Sequence, residues 1–332
     1  MPGEFELIDR YFARPRRGGA GGRGVVLGIG DDAALLELPP ACDLVAAVDT
    51  IVAGRHFPPG TSPHAIGHRA LAVNLSDLAA MGATPAWATL ALTLPAAEDA
   101  WLSGFAAGLL DLADAHGVTL VGGDTTGGPL TISVQLLGHV PHGTALRRSG
   151  GRPGDLLAVT GTLGDSGAGL ALATGRLQAP AGEHTTELLH RFEYPAARVA
   201  FGRGARGIAS AAMDLSDGLT GDLPKLAAAS GAAAHVEVAR LPLSAALRGV
   251  ASAQQARDWA LAAGDDYELL LAVAPARWDE LAALAAASAL RLTAIGELRA
   301  GSGVAWTLHG APYAAPAEGF DHFRGPSTQI TV

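Results

Sequence analysis

Lysine is nearly absent from this chain: Lys225 is the only one in 332 residues. A P-loop needs a Gly-Lys-Ser/Thr triplet, and none exists. A strand lysine of the protein-kinase type is missing as well. Phosphate chemistry in this chain would have to rely on arginines, backbone N–H groups and aspartate-held Mg2+. Cysteine is as scarce. Cys42 stands alone, which excludes an intrachain disulfide and every paired-cysteine metal or redox motif. It fits a reducing compartment, and the cytoplasm is expected. Positive charge is short too. The net charge is −9, and the basic stretches are only Arg147-Arg148 and the group Arg14, Arg16 and Arg17. Broad nucleic-acid binding is therefore not expected. The first residues, Met-Pro-Gly-Glu-Phe-Glu, lack the apolar run of a signal peptide. Leu78–Ala97 carries no charge, but Gly82, Pro85 and Pro95 interrupt it, so it reads as a helix end and a strand rather than a membrane span.

What is present is a globular composition, 49% apolar and 17% charged, long enough for two domains. The stretch Ala72–Pro85 organises the rest. Leu71, Leu75, Leu78 and Met81 recur at helical spacing and form a buried stripe. Asn74 and Asp77 share one flank, Ser62 and Pro63 mark the start, and Gly82 and Pro85 mark the end. A carboxylate on a buried helix needs a partner, a proton or a metal. Capping of a neighbouring loop and ligation both satisfy that need.

Other aspartates share the setting. Gly30-Asp31-Asp32, Val48-Asp49-Thr50, Gly122-Gly123-Asp124 and Asp214-Leu215-Ser216-Asp217-Gly218 each put Asp at the end of a short apolar run beside Gly or Thr. Such positions suit hard cations and phosphate. Strands are expected at 25–29, 33–38, 44–48, 87–94, 131–140, 156–160, 211–213, 236–238, 268–273 and 291–297. Helices are expected at 4–12, from Ser62 to Met81, and at 98–116, 168–173, 187–192, 197–204, 219–229, 254–262 and 278–287. The Gly/Pro/Arg-rich loop 147–154 is a natural boundary. Both halves mix strands and helices, giving an α/β (α+β) protein with domains at 1–145 and 146–332.

Several motifs have two readings. His64 and His68 have zinc-ligand spacing but no accompanying glutamate, so surface histidines are the expectation. Gly161–Gly167 either cradles an anion or makes a tight strand–helix turn. No serine sits in a Gly-X-Ser-X-Gly elbow. Gly264-Asp265-Asp266-Tyr267-Glu268 is either a solvated acidic loop or a contact for a cationic substrate. Phe320 and Phe323 either pack or stack on a ring.

These motifs together resemble the thiamine-monophosphate kinase family. They include 28–36, Asp49-Thr50 with Val52, Gly54, His56 and Phe57, the stretch 72–85, Gly122-Gly123-Asp124-Thr125, Arg148-Ser149-Gly150, 214–219 and Asp266-Tyr267-Glu268-Leu269, all in the family's order. The resemblance spans Glu4 to Phe323. It implies the two-domain fold of aminoimidazole ribonucleotide synthetase, with N-terminal domains pairing in a homodimer and ATP in a cleft between domains. It also implies ATP and thiamine monophosphate as substrates, with several Mg2+ ions. On the resemblance, Asp32, Asp49, Asp77, Asp124, Asp214 and Asp217 are metal ligands. Gly123, Asp124, Arg148 and Ser216 contact nucleotide, and His56, Asp265 and Phe320 contact the thiamine phosphate. Two positions depart from the family: Ala47 and Val48 replace hydroxyl residues, and Asp265 replaces the usual Glu. Alternatives are a synthetase of the same superfamily or a non-catalytic sensor of nucleotide or thiamine phosphate. Cys42 has no neighbouring His and Lys225 no activating partner in sequence. Direct in-line transfer is therefore expected over a covalent intermediate.

Overall fold

The computed structural model describes residues 4–12 and 24–316. The chain divides into two compact units. The first runs to Leu78 and resumes over Ala83–Gly143; the second takes Ala79–Gly82 and runs on from Thr144.

The first unit opens with α1 (Glu4–Leu7), which continues as a wider helical turn over Ile8–Phe12. A small antiparallel pair follows, β1 (Val25–Leu27) and β2 (Leu35–Leu36). The main sheet has four strands: β3 (Cys42–Val52), β4 (Thr84–Leu94), β5 (Thr119–Gly127) and β6 (Thr131–Pro141), in the order β3-β6-β4-β5. Only β4 and β5 are parallel neighbours. Two helices accompany it, α2 (Pro63–Ala80) and α3 (Asp99–His116). The start of α2 is capped as expected: the Ser62 hydroxyl accepts the Ala65 N–H at 3.1 Å. Its end is also as expected, with Gly82 left-handed at φ 64°. Leu71, Leu75 and Leu78 are buried to 1% exposure or less. Leu71, Leu90, Leu109 and Val134 line one small apolar cavity, so both helices and the sheet share this core.

The opposite face of that sheet is different. Leu44 and Val48 on β3 are 53% and 64% exposed. Cross-strand partners share a face, so Thr50, Ser133, Ala91 and Asp124 form one row on this exposed side.

The second unit holds a seven-stranded sheet. Its strands are β7 (Leu156–Thr160), β8 (Ala211–Asp214), β9 (Ala233–Glu237), β10 (Leu269–Val273), β11 (Leu292–Arg299), β12 (Val304–Leu308) and β13 (Ala311–Pro312). They are ordered β13-β12-β9-β11-β7-β10-β8. Its helices are α4 (Asp165–Ala173), α5 (Glu183–Glu193), α6 (Val199–Ala205), α7 (Leu219–Ala229), α8 (Ala245–Val250), α9 (Ala253–Ala262) and α10 (Trp278–Ala287). Leu157, Val159, Leu270 and Ile295 of the sheet pack with Leu223 and Leu226 of α7 and Leu261 of α9. A second cluster joins Ala168, Leu188 and Leu247. Among the described residues no helix is long and apolar enough to cross a membrane.

Two strands run on past their aspartates, β3 beyond its expected end at residue 48. β3 continues through Asp49 to Val52, and β5 continues through Asp124 to Gly127. In both, β-branched or small residues follow the aspartate, and the neighbouring strand offers uninterrupted partners. The strand expected at 33–38 shrinks to Leu35–Leu36, which pair only with β1.

Candidate active site

In the first unit the predicted aspartates occupy distinct places. Asp32 is exposed in a turn, its N–H held by the Asp31 carboxylate at 2.8 Å. Asp49 pairs with Val134, which is 1% exposed, so Asp49 lies on the core side of the sheet, half-buried. Asp124 lies on the exposed side. Their strands are the opposite edges of the sheet, three strand spacings or roughly 14 Å apart, and the two side chains are on opposite faces. Asp124 owes its face to its pairing with Ala91, and Gly123 before it lets β5 run close to β4. A side chain at Gly123 would overlap the Leu90 carbonyl, and the backbone there is in a region only glycine favours, φ 155°. Gly123 is thus required by the close approach of β4 and β5, whatever it contacts.

Asp77 is half-buried on α2, one turn from fully buried Asn74. The Asn74 amide donates to the Ala70 carbonyl at 3.1 Å, while its oxygen has no hydrogen-bond partner among the described residues. His56 sits in the turn after β3. Its Nδ1 accepts the Val52 N–H at 2.9 Å, so the neutral ring carries its proton on Nε2. On α2, His64 is exposed and His68 half-buried.

In the second unit, Asp214 closes β8 and is 5% exposed. Ser216 and Asp217 follow, both half-buried, and both donate backbone N–H bonds to Asp222, at 3.0 and 2.9 Å. Lys225 has carboxylate partners, and they do not activate it as a nucleophile. Its ammonium bonds Asp217 at 2.6 Å and Asp222 at 2.9 Å. Burial alone would lower its pKa; the hydrogen bonds to Asp217 and Asp222 outweigh that and hold it charged. A charged, doubly bonded ammonium is a poor nucleophile. Burial also pushes Asp222 up to about 6, against the pull of Lys225. Asp222 and its i, i+3 lysine were legible as a helical pair but were not singled out. Arg148 is exposed, its carbonyl accepting the Ser230 hydroxyl at 2.9 Å. Phe320 and Phe323 lie outside the described residues.

The Gly161–Gly167 stretch resolves in favour of the tight turn, because a carboxyl group of the chain itself accepts the turn's N–H groups. Asp266 accepts the Gly164 N–H at 2.7 Å and the Ser166 N–H at 3.4 Å, at the start of α4. Burial drives the Asp266 pKa well above the carboxylate range. Beside it, Glu268 is fully buried and accepts from the Thr160 hydroxyl at 2.7 Å, Arg191 at 2.9 Å and Arg198 Nε at 2.7 Å. Burial opposes its charge, but Arg198 and Arg191 prevail and keep its pKa below the usual value. Gly161 makes room: a side chain there would strike the Glu268 carboxylate. The acidic segment is thus not a solvated loop, since Asp266 and Glu268 are buried and Asp265 is half-buried.

Among the described residues no group of three or more His, Cys, Asp or Glu is gathered to hold a metal. Mg2+ commonly takes one or two carboxylates and completes its octahedron with water and phosphate oxygens. The donor set here, all oxygen with exposed Asp32 and Asp124, fits that mode and does not form a closed protein cage.

Known proteins share this sequence and fold. The family described as AIR synthase related protein, N-terminal domain, matches residues 30–140, and its C-terminal domain counterpart matches residues 152–309. The chain belongs to the AIR synthase related family. It is 45% identical to the thiamine-monophosphate kinase of Escherichia coli over 98% of this chain and 99% of that one. A crystal structure of thiamine-monophosphate kinase from Stenotrophomonas maltophilia matches with TM-score 0.84 at 46% identity, covering 93% of this chain and 98% of that chain. A structure described as AaThiL complexed with AMPPCP and TMP matches with TM-score 0.77 at 32% identity, covering 89% and 92%. Within the wider family, the chain belongs to the thiamine-monophosphate kinases.

Proposed function

We propose that this chain transfers the γ-phosphoryl group of ATP to thiamine monophosphate, giving ADP and thiamine diphosphate. The observation that carries the reading is the end-to-end match to thiamine-monophosphate kinases, with 45% identity over 98% of the chain. A neighbour of the same fold holding AMPPCP and TMP supports the substrate pair. Asp32, Asp49, Asp77, Asp124, Asp214 and Asp217 are the residues that would hold Mg2+, which when bound neutralises phosphate charge. Gly123, Asp124, Arg148 and Ser216 would contact nucleotide. His56, Asp265 and Phe320 would contact thiamine monophosphate.

The acceptor is a phosphate monoester, already anionic near neutral pH, so positioning matters more than a strong base. The one lysine is tied to two carboxylates, which supports direct in-line attack over a covalent intermediate. The protein is proposed to be a homodimer. The exposed apolar residues Leu44 and Val48 give a second copy a surface to cover, and Asp49 and Asp124 stand on opposite edges of one sheet. The cytoplasm is its proposed compartment. The test is incubation with ATP, Mg2+ and thiamine monophosphate, with chromatography of the products. Thiamine diphosphate and ADP in equal amounts are expected. Binding without turnover would replace the kinase with a sensor.

A further inference from the structure

Residues 265–268 link the end of α9 to β10, and their conformation is unusual. Asp265 and Tyr267 both lie in the left-handed region, at φ 70° and 50°, and neither is glycine. Such strain persists only where the surroundings over-determine it. Here they do. The Asp265 N–H bonds the Ser216 carbonyl, and the Tyr267 N–H bonds the Leu215 carbonyl, each at 2.9 Å. The intervening Asp266 is held by the start of α4, and the following Glu268 is gripped by Thr160, Arg191 and Arg198. The frame thus delivers two side chains, two residues apart, into contact. The Tyr267 hydroxyl donates to Asp265 Oδ1 at 3.0 Å.

The terminal torsion of an aspartate is broad and costs little to rotate. A phenol hydroxyl on one carboxylate oxygen removes that freedom while leaving the negative charge in place. We propose that Tyr267 is a positioning residue: its hydroxyl holds the Asp265 carboxylate ready for the positively charged ring of thiamine monophosphate. This rests on the reading of Asp265 as a substrate contact.

The experiment is a double-mutant cycle of Asp265→Ala and Tyr267→Phe, with KM for each substrate, kcat and Tm measured for every variant. Fixing one side chain before binding is worth about three- to tenfold in affinity. Tyr267→Phe should therefore raise KM for thiamine monophosphate about three- to tenfold, with KM for ATP, kcat and Tm near those of the unmodified protein. Adding it to Asp265→Ala should cost nothing more. An unchanged KM for thiamine monophosphate in Tyr267→Phe, or additive effects in the double variant, overturns the positioning role. A lowered Tm with both KM values rising together reduces the bond to a structural tie and also overturns it. If Asp265→Ala itself leaves the thiamine monophosphate KM unchanged, the substrate assignment of Asp265 fails first, and the proposal fails with it.

Discussion

Asp124 and Asp266 look alike in sequence, yet the two units use them in opposite ways. Asp124 follows Gly122-Gly123 and ends up exposed on the open face of a four-stranded sheet. Asp266 follows Gly264-Asp265 and is 5% exposed, bonded to backbone N–H groups of Gly164 and Ser166. The difference lies in what surrounds them. On β5 an aspartate beside glycines meets solvent, where water stabilises its charge and an incoming cation could reach it. In the second unit the protein answers its buried acids itself, Glu268 with two arginines and Asp266 with backbone N–H groups and a raised pKa that favours its protonated form. The lesson is that a carboxylate beside glycine can be left open to solvent or buried among the protein's own donors, and only the fold says which.

The contrast can be broken most strongly at Glu268. Glu268→Ala strands Arg191 and Arg198 without their shared carboxylate, and losing one partner of a buried pair costs about 3–5 kcal/mol. Urea unfolding near neutral pH should show a loss of that size. Because folding lowers the Glu268 pKa below its ordinary 4.5, its contribution is full above that value and fades as pH falls through the folded pKa. Asp266 works in the opposite sense. Its raised pKa favours folding when the proton is bound, and that support declines as pH rises towards the folded value. The stability lost in Glu268→Ala should therefore shrink in acid; an equal loss at pH 3 and pH 7 would contradict the ion-pair account.

Asp124→Asn should do the reverse. We expect kcat to fall by about 10²-fold, the scale of losing one strong electrostatic group in a site, while Tm stays put. A near-normal rate at saturating Mg2+ would remove Asp124 from the site. The smallest effect is expected at Lys225, which is 43% exposed. Lys225→Met should cost about 1–2 kcal/mol of stability, less than Glu268→Ala, because the Asp222 carboxylate is 1% exposed but keeps the Ser216 and Asp217 N–H bonds. Turnover should stay within about tenfold, since removing a group that does proton-transfer work would cost 10²- to 10⁴-fold. A loss of the latter size would return Lys225 to the chemistry.

Much of the first unit was readable because its signals are local. Ser62, Pro63, the leucine spacing and Gly82 bracket α2, and each does its expected work. The strand Leu156–Thr160 and the helices Leu219–Ala229 and Trp278–Ala287 also fall where the pattern puts them. The six-residue α8 was missed because it is too short to show a period; it exists because the Ser244 hydroxyl caps the Leu247 N–H at 2.9 Å. β12 and β13 escaped notice beside a run of glycines. The Glu268 clamp was not readable at all. Its arginines lie 70 and 77 residues away in sequence, and no local pattern links them. The Asp265–Tyr267 pair was close in sequence but hidden for another reason: two left-handed non-glycine residues run against backbone preference, so no propensity foretells the contact.

The scarcity of lysine returns here as a property of the folded molecule. A protein with one lysine has one side-chain amine, and this one rests between Asp217 and Asp222. Isotope placed on lysine nitrogen during expression would give a single resonance, with no assignment to make. That resonance would come from the carboxylate pair in the second unit where a divalent cation is expected. The chain therefore carries its own spectroscopic probe of that position, without an added tag and without a substitution.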